Sequence, residues 1–486
     1  MKNIFKYVNM LIVILLLTSC EDYLDVNVDP NNPTSASPDL ILPVAQKYTA
    51  NIIHASDGGG RRANGLGNLM MYNWSQSDGF AWYPDEFKYN VTSSFYATIF
   101  NDSYTSSLKQ YQLLTQLGER YDYYIAIGMI MKAYHFQLLV DFFGDVPYSE
   151  ALLRKDNATP KYDKAQDIYA DLLVQLDAAV ALINDAANPI VPGADDVMFA
   201  GNMTKWKQFA NTVKLRIAVR SKNAAAITAA FANPAGFITA DVMVQPGYSK
   251  DAGKQNPFWN LYGSDEGGTK TLTHKATCAT DYILSYLTTT QDPRIDFLYE
   301  IPPTGTHKGV KQGLLDYDTP VVDAFVPEKV SNIGPGLLKS ASMGACIFTL
   351  AESNFNQAEA ALAQPTLGNA QTFYENGVKA SFAYLGAGSA TAYLAKDFKN
   401  VSWTSSPNKL EAIITQKWIA VNGITAEQSW FDYSRTKFPA NLPISAQATT
   451  SDRPVRLFYP SNELSANGAN VPAQPNAFTG KIFWAN

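Results

Sequence analysis

The amino-acid sequence predicts a mostly helical protein, built of successive amphipathic helices and interrupted once by a long loop-rich excursion. Three observations carry that reading. Apolar residues recur at three-to-four spacing in several long segments, the connections between those segments hold Pro, Gly and Asn, and residues 232–345 turn instead to Gly, Pro, Thr and Asp. Each helix so formed has one sticky face, which leaves water only by stacking on a neighbour. No linker divides this body, so a single domain is expected over residues 39–486, with the loop-rich insertion at about 232–345.

The chain begins with Lys2 and Lys6, an apolar run from Val8 to Leu17 broken by Asn9, and the small residues Thr18 and Ser19. A bilayer span takes about 20 apolar residues. This run reaches roughly half of that, so residues 1–19 read as a secretory signal and not a span. Leu17, Thr18, Ser19 and Cys20 resemble the lipobox of bacterial lipoproteins, in which the cysteine is acylated and becomes the first residue after cleavage. Cys20 is therefore the expected lipidation site, and the membrane is reached through that lipid anchor. A signal peptide cut nearby beside an incidental cysteine is the plainer alternative. Behind it, EDYLDVNVDPNNPTSASP is polar and turn-forming, giving a lipidated tether over residues 20–38.

The first strong helical period follows Tyr121: Tyr124, Ile127, Met131, Tyr134, Leu138 and Phe142 form one stripe, stopped by Gly144 and Pro147. In the next helix Asp163 and Gln166 have capping-box spacing, and Ile168, Leu172, Leu173, Leu176, Ala179, Val180 and Ile183 make the buried face. A third helix starts near Thr204 with Trp206, Phe209, Val213 and Ile217 in period. The excursion shows one helical patch, Tyr282 to Leu287. Helical text returns from Leu350, from Ala370 and from Asn408, the last with Leu410, Ile413, Ile414, Trp418 and Val421 on one side. The tail from Pro439 is loop-like.

Composition excludes several functions. The formal charge of −6 becomes −8 once Lys2 and Lys6 leave with the signal, and no basic tract exists, so nucleic acid has no electrostatic footing. Four scattered histidines, His54, His135, His274 and His307, make no metal-ligand spacing, and neither a metal nor another cofactor is expected. Beyond Cys20 only Cys278 and Cys346 remain, too few for a disulfide framework; pairing and burial as free thiols both stay open.

FGDVPYSEAL at 143–152, GNMTKWKQFANTVKLRIAVR at 201–220, QDPRID at 291–296, LAESNFNQAEAAL at 350–362, WFDYSRTKFPANL at 430–442 and RPVRLFYPSNE at 453–463 follow the lipobox and tether in an order that resembles the SusD/RagB family. These are SusD-like outer-membrane lipoproteins of Bacteroidetes. The resemblance implies tetratricopeptide-like helix pairs in an α-α superhelix, although no fixed period of about 34 residues is readable here. It also implies a role: binding oligosaccharide or, as in RagB-like receptors, peptide at the cell exterior, and delivery to a SusC-like TonB-dependent outer-membrane transporter. Glu21 and Asp22 resemble the acidic residues that mark surface-exposed lipoproteins of these bacteria.

A neutral glycan is held by flat apolar rings against sugar C–H faces, bordered by groups that bond its hydroxyls. MYNWSQSDGFAWYPDEF at 71–87 supplies Trp74, Phe80, Trp82 and Tyr83 among Asn73, Gln76, Asp78 and Asp85, and NPFWNLYGSDEGG at 256–268 supplies Trp259 and Tyr262. Family members place ligand-stacking aromatics in these two regions. The expected ligand-binding set is Asn73, Trp74, Asp78, Trp82, Tyr83, Trp259 and Tyr262. The same rings could instead plug onto the body.

No catalytic residue is expected. Asp141 and Asp145 suit a helix end and its turn, and Gly58 to Arg62 lacks the Gly-Lys-Ser/Thr ending of a phosphate loop. Glu352 and Glu359, seven apart, suit solvated or buried-paired roles, and Trp430, Asp432 and Arg435 suit locking of the final helix. The competing class is a secreted helical glycoside hydrolase, which needs two carboxylates about 5–9.5 Å apart. Such a barrel would carry regular long helix pairs to its end, unlike the loop-rich centre and tail found here. A purely structural lipoprotein, which binds no ligand, is the third class.

Overall fold

The computed structural model describes residues 37–56, 60–153, 156–315 and 322–485. The signal, Cys20 and all but the end of the tether lie outside the described residues. Helix α1 (Pro38–Ile53) already starts at the last expected tether position, with Pro38 in its first turn, where a missing N–H leaves no bond unmade. Helix α2 (Ala63–Met70) runs into strand β1 (Trp74–Gln76). A π-helical stretch, Ser103–Leu108, precedes α3 (Lys109–Thr115), which packs on α4 (Asp122–Phe143).

The stripe from Tyr124 to Phe142 lies on α4, but this helix is buried on nearly every side, Ala126, Ile130, Ala133 and Leu139 included. It is long and apolar enough to cross a membrane by length and composition, yet most of it is enclosed by its neighbours. Gly144, at φ 78°, ends it in a conformation that glycine adopts freely. Strand β2 (Val146–Pro147) then pairs antiparallel with β3 (Tyr162–Asp163).

The expected capping box of the next helix does not form. Lys164 holds the cap position of α5 (Ala165–Asp185) without a side-chain bond. Asp163 is drawn into β3, where its Oδ2 accepts the Ser149 and Tyr148 N–H groups at 2.7 and 3.1 Å. Asp145 takes over, accepting the Ala165 N–H at 2.9 Å. Sequence spacing alone could not reveal an acceptor arriving from the preceding turn.

Helix α5 buries Ile168, Leu172, Leu176, Ala179 and Ile183 and packs between α4 and α6 (Met203–Arg220). Asn202 caps α6, and Asn223 caps α7 (Ala224–Ala232), each through its side-chain oxygen. The excursion contains small elements as expected: β4 (Val242–Val244), α8 (Pro257–Tyr262), β5 (Thr277–Ala279) and α9 (Asp281–Thr289). It is stitched to the body twice. β5 pairs with β1, and β4 pairs with β6 (Ala345–Phe348).

Beyond it, α10 (Leu350–Ala363) packs on α11 (Ala370–Leu385) and α12 (Lys409–Val421), and α13 (Glu427–Thr436) lies across α2. One apolar cluster joins Leu42 of α1 to Phe258 and Ile283 of the excursion and Trp484 of the tail. Each such fully buried side chain contributes about 1.5–3 kcal/mol, so the excursion and tail are held by the body's own core. Cys278 and Cys346 are buried free thiols.

Candidate functional site

The two aromatic segments meet through a strand pairing that spans some two hundred residues of sequence. Trp74 lies opposite Ala279, Ser75 opposite Cys278, and Gln76 opposite Thr277. That pairing encloses Trp74 completely, 5.0 Å from the Tyr262 ring and 6.4 Å from Phe258. Of the two roles open to these rings, burial selects the plug for Trp74, Tyr83 and Tyr262. None of the three offers a face to a ligand in this conformation. Tyr83 makes a 2.5 Å hydroxyl contact with Thr277 under the Arg61 guanidinium, which lies 4.9 Å from its ring centre.

The polar members brace the same joint. Asn73 is fully buried, its amide donating to Asn68 Oδ1 at 3.1 Å and its carbonyl accepting the Tyr299 hydroxyl at 3.0 Å. Asp78 accepts the Gly79 N–H at 2.8 Å and the Val322 N–H, so its carboxylate ties the loop after β1 to the excursion. Its own N–H donates to the Phe325 carbonyl at 2.8 Å.

Trp82 is different. It is half-buried, as is Phe80, and the two rings form an edge-to-face pair. Gln76 builds this ledge: its Oε1 accepts the Trp82 and Tyr83 N–H groups at 3.0 and 3.3 Å, and its Nε2 donates to the Phe80 carbonyl at 2.9 Å. Neither Gln76 nor Phe80 stood in the expected set, although both lie inside the quoted segment. Trp259 is also half-buried, but its Nε1 donates to the Ser264 carbonyl at 3.0 Å and so anchors its own loop.

Ser77 extends the joint by donating through Oγ to the Lys275 carbonyl at 2.7 Å. Lys275 lines a cleft of about 230 Å³ together with Lys270, His274, Glu300, Ile301 and Asn332. Burial works against the Glu300 charge, but the Lys270 ammonium, which donates to its Oε1 at 2.5 Å, helps hold its carboxyl below the usual range. The His274 Nδ1 meets the Tyr262 carbonyl at 2.7 Å and must donate there, which leaves Nε2 to accept from Lys270 at 2.8 Å.

The remaining constellations are structural. Asp141 pairs with Arg220 and accepts the Tyr169 hydroxyl, all buried inside the helical body. Glu352 pairs with Arg216 at 3.4 Å, Glu359 with Arg435, and Asp432 with Lys417 at 2.8 Å. The Trp430 Nε1 donates to the Pro454 carbonyl at 2.8 Å, locking α13 to the tail. Among the described residues no group of three or more His, Cys, Asp or Glu side chains is placed to hold a metal ion.

Residues 30–460 match the family model SusD-like_2, described as starch-binding and associating with the outer membrane. The chain belongs to this SusD-like family. Solved structures agree in fold along nearly the whole length. A chitin-binding protein is 25% identical with a TM-score of 0.71, the match covering 93% of this chain and 100% of that one. A chitin-binding SusD homologue from Flavobacterium johnsoniae is 22% identical with a TM-score of 0.75, covering 91% and 98%. A SusD homologue from Bacteroides vulgatus is 22% identical with a TM-score of 0.74, covering 91% and 97%. No curated protein matches the chain. The SusD-like fold is the helical, tetratricopeptide-like one that the resemblance implied.

Proposed function

We propose that this SusD-like chain is a non-catalytic lipoprotein that captures oligosaccharides at the cell exterior and passes them to a SusC-like TonB-dependent transporter, with Cys20 carrying the lipid. The family match over residues 30–460, with its starch-binding, outer-membrane description, carries the proposal. Local chemistry supports it. Phe80 and Trp82 keep partly open ring surface, the flat apolar face against which a sugar stacks. The chitin-binding relatives make β-linked N-acetylglucosamine oligomers the first ligands to try.

The test is calorimetric titration of the full-length lipidated chain with chitin oligomers, malto-oligosaccharides and short peptides, with product analysis of each mixture. Saturable binding of a glycan without new products supports the proposal. Cleavage of a glycan establishes the hydrolase class, and binding of peptides alone establishes a RagB-like receptor. Anchoring is tested apart from ligand: Cys20→Ala protein should leave the outer-membrane fraction, and a large β-barrel protein should co-purify with the wild type.

A further inference from the structure

Buried or nearly buried cations inside the helical body each have their own acid, among them Arg216 with Glu352, Arg220 with Asp141, Lys417 with Asp432, and Arg435 with Glu359. Glu427, the first residue of α13, is a further acid with no accessible surface and no ion pair among the described residues. Its Oε1 accepts the Gln428 amide at 3.3 Å, and its Oε2 has no hydrogen-bond partner among the described residues. A lone buried carboxylate of this kind is strongly disfavoured, whereas the neutral acid is tolerated.

The groups that face Glu427 do not reverse this. Arg216 of α6 is already paired with Glu352, and Glu352 of α10 repels a second negative charge. From α4 comes the Tyr134 hydroxyl, which donates to the Ile347 carbonyl at 2.9 Å. From α2, Asn64 and Asn68 bond the neighbouring Ala426 and Gly423 backbone, and the Gly67 backbone lies against the Glu427 nitrogen. The helix N-terminus and Glu427's own backbone N–H favour its charge, but burial outweighs them and pushes the carboxyl up to about 8.

Glu427 also sits where two elements touch most closely. A Cβ built on Gly67 of α2 would lie 2.1 Å from the Glu427 nitrogen, so α2 and the start of α13 pack backbone to backbone. Asn64 accepts the Ala426 N–H at 3.2 Å and donates to the Gly423 carbonyl at 2.9 Å, and Asn68 accepts the Gly423 N–H at 3.0 Å. Helix α2 then leads directly into β1 and the Phe80–Trp82 ledge.

We propose that Glu427 is held as a neutral carboxylic acid at neutral pH, and that charging it puts an unpaired carboxylate at the start of α13 beside the α2–α13 joint, so that alkaline conditions loosen the support of the ledge. The reaction is a simple deprotonation: Oε2 gives its proton to solvent hydroxide, and a carboxylate is left without a cation. What the ledge binds does not enter.

The test uses the full lipidated chain in detergent. Infrared spectra at neutral pH should show a protonated carboxyl band that fades in the wild type as pH rises through about 8 and that is missing in Glu427→Gln. Deuterium exchange of the 63–76 segment, corrected for its intrinsic pH dependence, should rise over the same range in the wild type and stay flat in Glu427→Gln. A band that survives in Glu427→Gln, or that disappears in Glu352→Gln instead, overturns the assignment. Exchange that is indifferent to pH overturns the joint. Should Glu427→Gln not fold, the wild-type band and exchange must still change together, and their separation would equally sink the proposal.

Discussion

The Trp82 indole meets the Phe80 ring edge-on, with ring centres 5.9 Å apart and planes at 89°. Each ring fixes the other, and Gln76 fixes both backbones, so a ligand stacking there meets a preformed surface. Trp82→Ala should weaken glycan binding at least tenfold, about 1.4 kcal/mol. Because the ring is already half exposed, its loss should lower the melting temperature only slightly. Calorimetry beside a thermal melt separates the two, and unchanged affinity would move the site away from the ledge.

Trp74 should behave in the opposite way. On β1 it is fully enclosed against the Phe258 and Tyr262 rings of α8, and truncating a buried tryptophan costs about 3–5 kcal/mol. Trp74→Ala should therefore shift the urea midpoint strongly, and any loss of glycan binding should follow the unfolded fraction. A variant that stays stable but loses affinity would return Trp74 to the ligand site.

The long helices α4, α5 and α6 were legible because each places apolar residues in period. Helix α1 was not. Pro43 lies inside it, and Gln46, Thr49 and Asn51 occupy buried positions, so neither breaker rules nor apolar spacing point to a helix there. The site divides in the same manner. Aromatic density marked the 71–87 segment correctly as a place where rings gather, but exposure is set by β1 pairing with β5 across distant sequence. That pairing buries Trp74 and leaves Trp82 at the rim, a distinction that carries no local signal.

Arg294 gives the QDPRID segment its physical meaning. Its guanidinium is wholly buried, bonded to Asp292, to the Gln416 amide oxygen at 2.6 Å and to the Ser381 hydroxyl at 2.9 Å. The Phe382 and Tyr393 rings lie 5.0 and 5.4 Å from its central carbon. Arg294→Ala strands the buried Asp292 and should cost about 3–5 kcal/mol. Arg294→Lys should recover only part of that, since an ammonium lacks the planar fork that serves three partners and stacks between two rings. Chemical unfolding of both variants checks the order, and a lysine variant as stable as wild type would show that charge alone matters here.

Acid should destabilise the fold through two buried histidines. The His54 Nε2 must donate to the Cys346 carbonyl at 2.8 Å, and its Nδ1 has no partner, so a second proton would be buried without an acceptor. Burial, only partly offset by that carbonyl, lowers His54 to about 4 from 6.5, and burial lowers His135 to about 3. Between those values and 6.5 the unfolded chain binds protons that the folded chain refuses. Stability is therefore complete above about pH 6.5 and drains as pH falls towards 4, by about 3 kcal/mol for His54 alone when each pKa unit counts about 1.36 kcal/mol. His54→Gln keeps a donor for the Cys346 carbonyl and removes the titration. Its unfolding free energy should fall less steeply with acid than that of the wild type, and identical slopes from pH 7 to 4 would show that His54 takes up its proton without unfolding.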